Sequence, residues 1–247
     1  MPHSAMNRHK AFIKDPKVNI VATAEKLYDE VVAVRGERNV LLSGNGVDIK
    51  HFQQPIDWKI IPDSLKKIFR SGKPVIGYFG AVAVWFDYGL IYKAATDRPD
   101  YYFLIIGPQY GAPTKTNEKI ELLKTRQNVI FTGTIDYKVL PHFANNFTVA
   151  TIPFILNDVT ESTSPIKLFE YMAMGKPIVT TAMRECMKHP EVMIARDAEE
   201  YINLLDRAVA IANGPDYPAY VEKMHQVAMK NSWDEKSREI IRLVKSK

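Results

Sequence analysis

From Pro74 onward, short runs rich in β-branched and aromatic residues alternate with segments of helical apolar spacing, and this rhythm constrains the fold more than any other feature. The runs Val75–Gly80, Tyr101–Gly107, Asn128–Gly133, Phe147–Pro153, Pro177–Thr181 and Val192–Ala195 read as strands. Between them, Tyr88–Arg98, Asn117–Gln127, Tyr137–Asn145, Pro165–Met174 and Ala198–Ala212 read as helices. Strands that are apolar throughout, each followed by a helix, predict a parallel sheet covered on both faces. The expected class is therefore α/β, with a Rossmann-like sheet. Ligands of such sheets bind beyond the carboxyl ends of the strands. Gly80, Gly107-Pro108, Gly133-Thr134 and the Asn157–Pro165 loop should gather at that rim.

One of these units carries chemistry. Ser162-Thr-Ser-Pro-Ile-Lys-Leu-Phe-Glu-Tyr-Met-Ala-Met-Gly-Lys-Pro-Ile-Val179 reads as a hydroxyl-rich loop, a helix and a buried strand. Ser164 suits the N-cap, Pro165 the first helical position and Gly175 the position after the C-cap. The helix has almost no solvated face, and only Lys167 and Glu170 are charged. Three residues apart, they share one edge near its start. Two readings follow. They form a surface ion pair worth about 0.2–0.5 kcal/mol, or they serve a ligand. A lysine in the first turn opposes the helix dipole, and an external anion such as phosphate would relieve that conflict.

The wording Pro165-Ile-Lys167-Leu-Phe-Glu170-Tyr-Met-Ala-Met-Gly175-Lys-Pro-Ile-Val resembles the donor-site segment of retaining glycosyltransferases with the GT-B fold, glycosyltransferase family 4. The resemblance implies a nucleoside-diphosphate sugar, UDP- or GDP-linked, as substrate, with no cofactor and no metal. It implies that backbone at Ser164, Pro165 and Ile166 approaches the diphosphate, that Lys167 pairs with a phosphate, and that Glu170 accepts hydrogen bonds from the ribose hydroxyls. The base would lie against Gly133, Thr134 and Ile135, with Leu140 beneath it, since Asn128-Val-Ile-Phe-Thr-Gly133 followed by Leu140-Pro141 also fits the family pattern. Gly80 would line the donor site from the first strand.

Two features depart from that pattern. Many members carry a glutamate eight positions before Glu170, where this chain has Ser162 beside Glu161. Either Glu161 substitutes, or Asn157, Thr163 and backbone amides hold the sugar. Many also carry an arginine and a lysine in the loop after the first strand, whereas Gly80-Ala-Val-Ala-Val-Trp-Phe-Asp87 holds no cation. Arg184 is a weaker second phosphate candidate, better read as a surface group. The catalytic residue is left unassigned: the histidine often found in the N-terminal domain of such enzymes has no match. His51 and His142 read as ordinary loop or helix residues.

Ahead of this domain, Asn19–Thr23 reads as a strand, Ala24–Val34 as a helix and Asn39–Ser43 as a strand. Asn45-Gly-Val-Asp48, with Phe52 four residues on, resembles the segment that closes the N-terminal domain of the same family. The expected division is residues 1–52 as the end of an acceptor domain, 53–73 as an exposed linker, 74–230 as the donor domain and 231–247 as a helix crossing back. Helical spacing continues through Tyr217–Lys230 and Trp233–Val244, with Ser232 or Asp234 as cap. By this reading the chain is a truncated product, a cloned fragment or one part of a split enzyme.

Composition adds boundaries. Cys186 is the single cysteine, so no intrachain disulfide forms, which suits a reducing compartment. No apolar run approaches the ~20 residues of a membrane span, and Met1 to Lys17 lacks a signal-peptide core. A cytoplasmic protein is expected, with peripheral contact at the inner membrane face as one option. The net charge of +5 is scattered, and no nucleic-acid module accompanies it. A nicotinamide enzyme lacks its Gly-x-Gly-x-x-Gly, and a nucleotide triphosphatase lacks the glycine spacing before Lys176. The expected function is transfer of a sugar, with retention, to a glycan or lipid-linked acceptor in surface polysaccharide assembly. The acceptor domain would stand in a separate chain if the enzyme is split. A non-catalytic, partner-binding descendant of such an enzyme is the alternative.

Overall fold

The computed structural model describes residues 3–110 and 114–245. Met1, Pro2, Ser246 and Lys247, the ends of the outermost expected segments, lie outside the described residues.

Two strands of the head, β1 (Ile20–Ala22) and β2 (Val40–Leu42), pair in parallel, with helix Glu25–Arg35 between them. The remaining strands are β3 (Val75–Phe79), β4 (Tyr102–Ile106), β5 (Val129–Gly133), β6 (Val149–Ile152), β7 (Ile178–Thr181) and β8 (Met193–Ala195). They form one sheet in the order β5-β4-β3-β6-β7-β8 with every pairing parallel. Numbered within this sheet, the order is 3-2-1-4-5-6, the doubly wound Rossmann arrangement. Every residue of β3 and β6 is buried, which explains their uninterrupted apolar sequence. Helices Tyr88–Asp97, Thr114–Lys124 and Ala198–Asn213 pack together on one face, while Ile166–Ala173 and Tyr217–Lys230 pack on each other at the opposite one.

The expected strands and main helices are all present among the described residues, with bounds displaced by a few residues. The helix expected over Asn117–Gln127 is found three residues earlier, at Thr114–Lys124, and the one expected over Tyr137–Asn145 shrinks to Leu140–Ala144. Asp136 and Tyr137 remain in the loop because the N–H groups of Lys138 and Val139 bond back to Asp136.

The end signals of helix Ile166–Ala173 need one correction. Pro165 is its cap, with φ −74° and ψ 110°, rather than its first residue, and Ser164 makes no capping hydrogen bond. The Ser164 hydroxyl instead accepts from the Asn45 backbone N–H at 3.4 Å. At the other end Gly175 has φ +66°, and the N–H groups of Gly175 and Lys176 reach the carbonyls of Met172 and Tyr171. That is the paired closure a left-handed glycine permits.

The stretch 53–73 is also not a bare connector. It contains helix Asp63–Phe69 and sends Ile61 and Leu65 into the core at 1% and 6% exposure. Helix Trp233–Lys245 returns to the head: Ser43 Oγ donates to Glu239 Oε2 at 2.7 Å, and the Trp233 N–H donates to the Val47 carbonyl. Ser232, not Asp234, caps it, accepting from the Glu235 N–H at 3.3 Å. None of this helix's residues is buried.

Candidate functional site

The sheet reverses its winding between β3 and β6, and a crevice at such a point is where doubly wound sheets bind ligands. Three segments meet there: Gly80 directly after β3, Phe154 just beyond β6, and the start of helix Ile166–Ala173. Residues 168–173 of that helix are buried without a break. Apolar side chains on all sides fix it in place. The hydroxyl of Tyr171 accepts the Phe79 N–H at 3.1 Å and ties it to β3.

Lys167 and Glu170 leave this helix toward the crevice, but not as an ion pair: among the described residues Lys167 has no carboxylate within 4.0 Å. Its half-buried ammonium lies 5.0 Å from the centroid of the Phe154 ring and 5.5 Å from that of Tyr78. Electron-rich ring faces attract a cation without neutralising it. Withdrawal from water pulls the lysine pKa down to about 8, and the field of Glu170 offsets part of that shift. Gly80, at φ +131°, makes room for the lysine stem: a Cβ there would stand 3.0 Å from Lys167 Cε.

Glu170 is 3% exposed. Burial raises its pKa to about 7 against the opposing pull of Lys167 and of the Tyr137 hydroxyl, which donates to Oε1 at 3.4 Å. No described residue donates to Oε2. The backbone N–H groups of Ile166 and Lys167, at the positive end of the helix dipole, are likewise without acceptors among the described residues. Ser164 and Pro165 are buried just ahead of them, and Asn45 Nδ2 donates to the Ser164 carbonyl at 2.6 Å. The crevice thus offers an uncompensated ammonium and two free amides at one end, and a carboxyl with an open oxygen deeper in. Such a set can hold a polyanion joined to a hydroxyl-bearing group.

The other expected residues divide. Gly133, at φ +71°, ends β5, exposed Thr134 and half-buried Ile135 follow it, and Leu140 is buried as the first residue of its helix. This group lies along the rim from Glu170, linked to it by Tyr137. Asn157 is committed to a local cap, accepting from the N–H groups of Val159 and Thr160, and Thr163 Oγ1 donates to the Val159 carbonyl at 2.7 Å. Glu161 ends the short helix Asp158–Glu161. Arg184 is engaged elsewhere. Its guanidinium binds Glu25 at 2.7 Å and Asp29 at 2.8 Å, clamping the head helix to the loop after β7. Cys186 is buried and its thiol is pushed up to about 12 by desolvation, so it is inert.

Sequence reading misses Tyr78, Phe154, Asn45, Tyr137 and His51. Tyr78 lies within a run read as a strand, Phe154 falls just beyond the run Phe147–Pro153, and Asn45 reads only as part of the segment that resembles the close of an N-terminal domain. His51 reads as an ordinary residue, yet Nε2 contacts the Tyr137 carbonyl at 2.8 Å and the two rings stack. No local pattern distinguishes these residues, because their partners come from other elements. Among the described residues, no cluster of His, Cys, Asp and Glu could hold a metal ion, and no helix is long and apolar enough to cross a membrane.

Relatives share this architecture. A Bacillus subtilis (strain 168) protein, TuaH, named for glycosyl transfer in teichuronic acid biosynthesis, is 27% identical over 228 residues, covering 91% of this chain and 56% of its own length. The chain thus spans about half the length of the curated relative it matches. A glycosyltransferase from Rickettsia africae ESF-5 superposes over 100% of this chain and 67% of its own, with TM-score 0.76 and 15% identity. Anabaena HepE in complex with UDP and glucose covers 99% of this chain and 66% of its own, with TM-score 0.71 and 15% identity. At these identities the two structures speak to the fold, that of GT-B glycosyltransferases. A family model described as glycosyl transferases group 1 matches residues 73–210, more than half of the chain. By that match, laid over a doubly wound sheet with a charged crevice at its reversal, the chain belongs to the glycosyl transferases group 1 family.

Proposed function

We propose that this chain is the donor-binding part of a retaining glycosyltransferase of family 4, which moves a sugar from a nucleoside diphosphate to a glycan or lipid-linked acceptor in surface polysaccharide assembly. The observation that carries the reading is the unpaired Lys167 ammonium, beside free helix N–H groups, at the reversal point of the sheet. Glycosyl transfer leaves a diphosphate whose charge must be stabilised, and a helix N-terminus with a lysine does this without a metal. Lys167 then meets the phosphates, Glu170 the ribose hydroxyls, and Gly133, Thr134, Ile135 and Leu140 the base. Gly80, Ser164, Pro165 and Ile166 shape the phosphate end. Asn157 and Thr163, both engaged through only part of their polar groups, stand toward the sugar. Structures of similar fold support a uridine nucleotide: Anabaena HepE is seen with UDP and glucose, and Staphylococcus aureus TarM with UDP and α-GlcNAc-glycerol.

Residues 1–52 are assigned to the end of an acceptor-binding domain, residues 53–73 to its linker and residues 231–247 to a returning helix. The acceptor site and the unassigned catalytic residue belong to that other domain, whether in the same polypeptide or a separate chain. The work would take place in the cytoplasm, with peripheral contact at the inner membrane face as one option. By itself this stretch binds nucleotide and transfers sugar poorly. Calorimetric titration with UDP and GDP tests the reading: wild type should bind one of them, and Lys167→Ala and Glu170→Ala should each bind at least tenfold more weakly. A folded wild-type chain that ignores both nucleotides would instead fit a non-catalytic, partner-binding descendant, which the cation-free 81–87 loop favours.

A further inference from the structure

The deeper end of the crevice contains a side-chain arrangement that the family motif does not include. Tyr137 lies in the loop between β5 and helix Leu140–Ala144, and the residue is 49% exposed. Its ring is boxed on two sides. The His51 imidazole stacks on it with centroids 4.5 Å apart and planes 20° from parallel, and Phe52 meets it edge-on at 5.8 Å. His51 Nε2 also lies 2.8 Å from the Tyr137 carbonyl, which fixes the backbone as well as the ring. His51 and Phe52 are themselves held: both belong to the four-residue helix Ile49–Phe52, capped by Asp48, and Phe52 is fully buried against Phe79. So braced, the Tyr137 hydroxyl reaches Glu170 Oε1, leaving Oε2 open.

A carboxylate with one oxygen already anchored presents the other along a fixed direction to a ligand hydroxyl. At 3.4 Å the contact is long for an O–H donor, as expected of a site that tightens on binding. We infer that Tyr137 is a positioning residue for ribose recognition: braced by His51 and Phe52, it orients the Glu170 carboxylate so that Oε2 meets the ribose hydroxyls. This rests on the nucleotide-sugar reading of the crevice and adds to it a residue from the loop after β5 and a second from the head.

The test separates the two levels. The full chain is titrated with UDP, GDP and the 2′,3′-dideoxy forms of both. Tyr137→Phe keeps the ring and removes only the hydroxyl. It should weaken the preferred diphosphate about tenfold, the effect of losing one hydrogen bond to a charged group, while changing affinity for its dideoxy form less than about twofold, since the lost contact acts only through the ribose hydroxyls. His51→Ala should show the same ligand-selective loss, and His51→Gln, which keeps an N–H donor, should recover part of it. Equal weakening of ribose and dideoxy nucleotides by Tyr137→Phe, or no weakening of either, would overturn the inference while leaving the nucleotide site standing. An unweakened His51→Ala would overturn the bracing by His51. If the wild-type chain binds none of the four ligands, the nucleotide reading fails, and this inference with it.

Discussion

The Lys167 ammonium faces the ring of Phe154 at 5.0 Å and has no acidic partner within 4.0 Å among the described residues. A half-buried charge left this way destabilises the empty fold. Lys167→Met, similar in volume but uncharged, should raise stability by about 1–2 kcal/mol, a value discounted for the residue's partial exposure. For a chain of this size that corresponds to roughly 2–8 °C in Tm. The same variant should lose nucleotide binding. Calorimetric unfolding beside a UDP titration checks both, and a variant less stable than wild type would contradict the unpaired-charge account.

The same charge defines a pH window. Glu170 titrates at about 7 in the fold against the ordinary 4.5 of a glutamate, so its favourable contribution is full below 4.5 and is lost as pH rises through 7. Lys167, lowered from 10.5 to about 8, contributes fully above 10.5 and loses that contribution as pH falls through 8. Between pH 7 and 8 both groups are charged, both penalties are present, and a ligand that satisfies both gains most. UDP affinity should therefore peak near that interval and decline on either side. Glu170→Gln should flatten the acid limb alone, as read by titrations from about pH 5.5 to about 9.5.

Gly80→Ala tests the crevice without touching a charge. The added methyl would lie 3.0 Å from Lys167 Cε, on backbone at φ +131° that only glycine adopts easily. A cost of about 1–3 kcal/mol is expected, together with displaced lysine and at least tenfold weaker nucleotide binding. A variant as stable as wild type with unchanged affinity would show that the close approach is unimportant.

Arg184→Ala should act on the head rather than on the crevice. It removes both bonds to Glu25 and Asp29 and leaves the Glu25 N–H held by Glu185. Hydrogen exchange over residues 20–42 should accelerate while UDP affinity stays within about twofold, the scale of surface ion pairs. Lost nucleotide binding would return Arg184 to the phosphate site.

The periodicities that make the doubly wound sheet are local, so the strands, most helices and the direction of the rim were legible in the sequence. So were Lys167, Glu170 and the Gly175 stop, because they lie on one short helix whose spacing fixes their shared edge. What lay hidden depends on contacts between distant segments. Asn45 reads as part of a domain-closing segment, but the partner it engages, Ser164, is 119 positions away. Tyr137 reads as helical, but its carbonyl and ring belong to His51. Ser164 reads as a cap because hydroxyls favour that role, yet Asn45 engages it instead. Ile61, Leu65, Ile68 and Phe69 do fall at helical spacing, but Pro55 and Pro62 give the stretch the look of an exposed connector, although Ile61 and Leu65 are buried.

Helix Ile166–Ala173, enclosed from Leu168 to Ala173, cannot tilt or slide without disturbing the whole interior. The side chains at its tip therefore inherit the rigidity of the protein's centre although they serve its surface. For Lys167 and Glu170, the backbone ordering entropy that loop-borne residues would surrender on meeting a guest has here been surrendered during folding. The share of the affinity that these two side chains supply should therefore depend little on temperature-driven loosening below the unfolding transition.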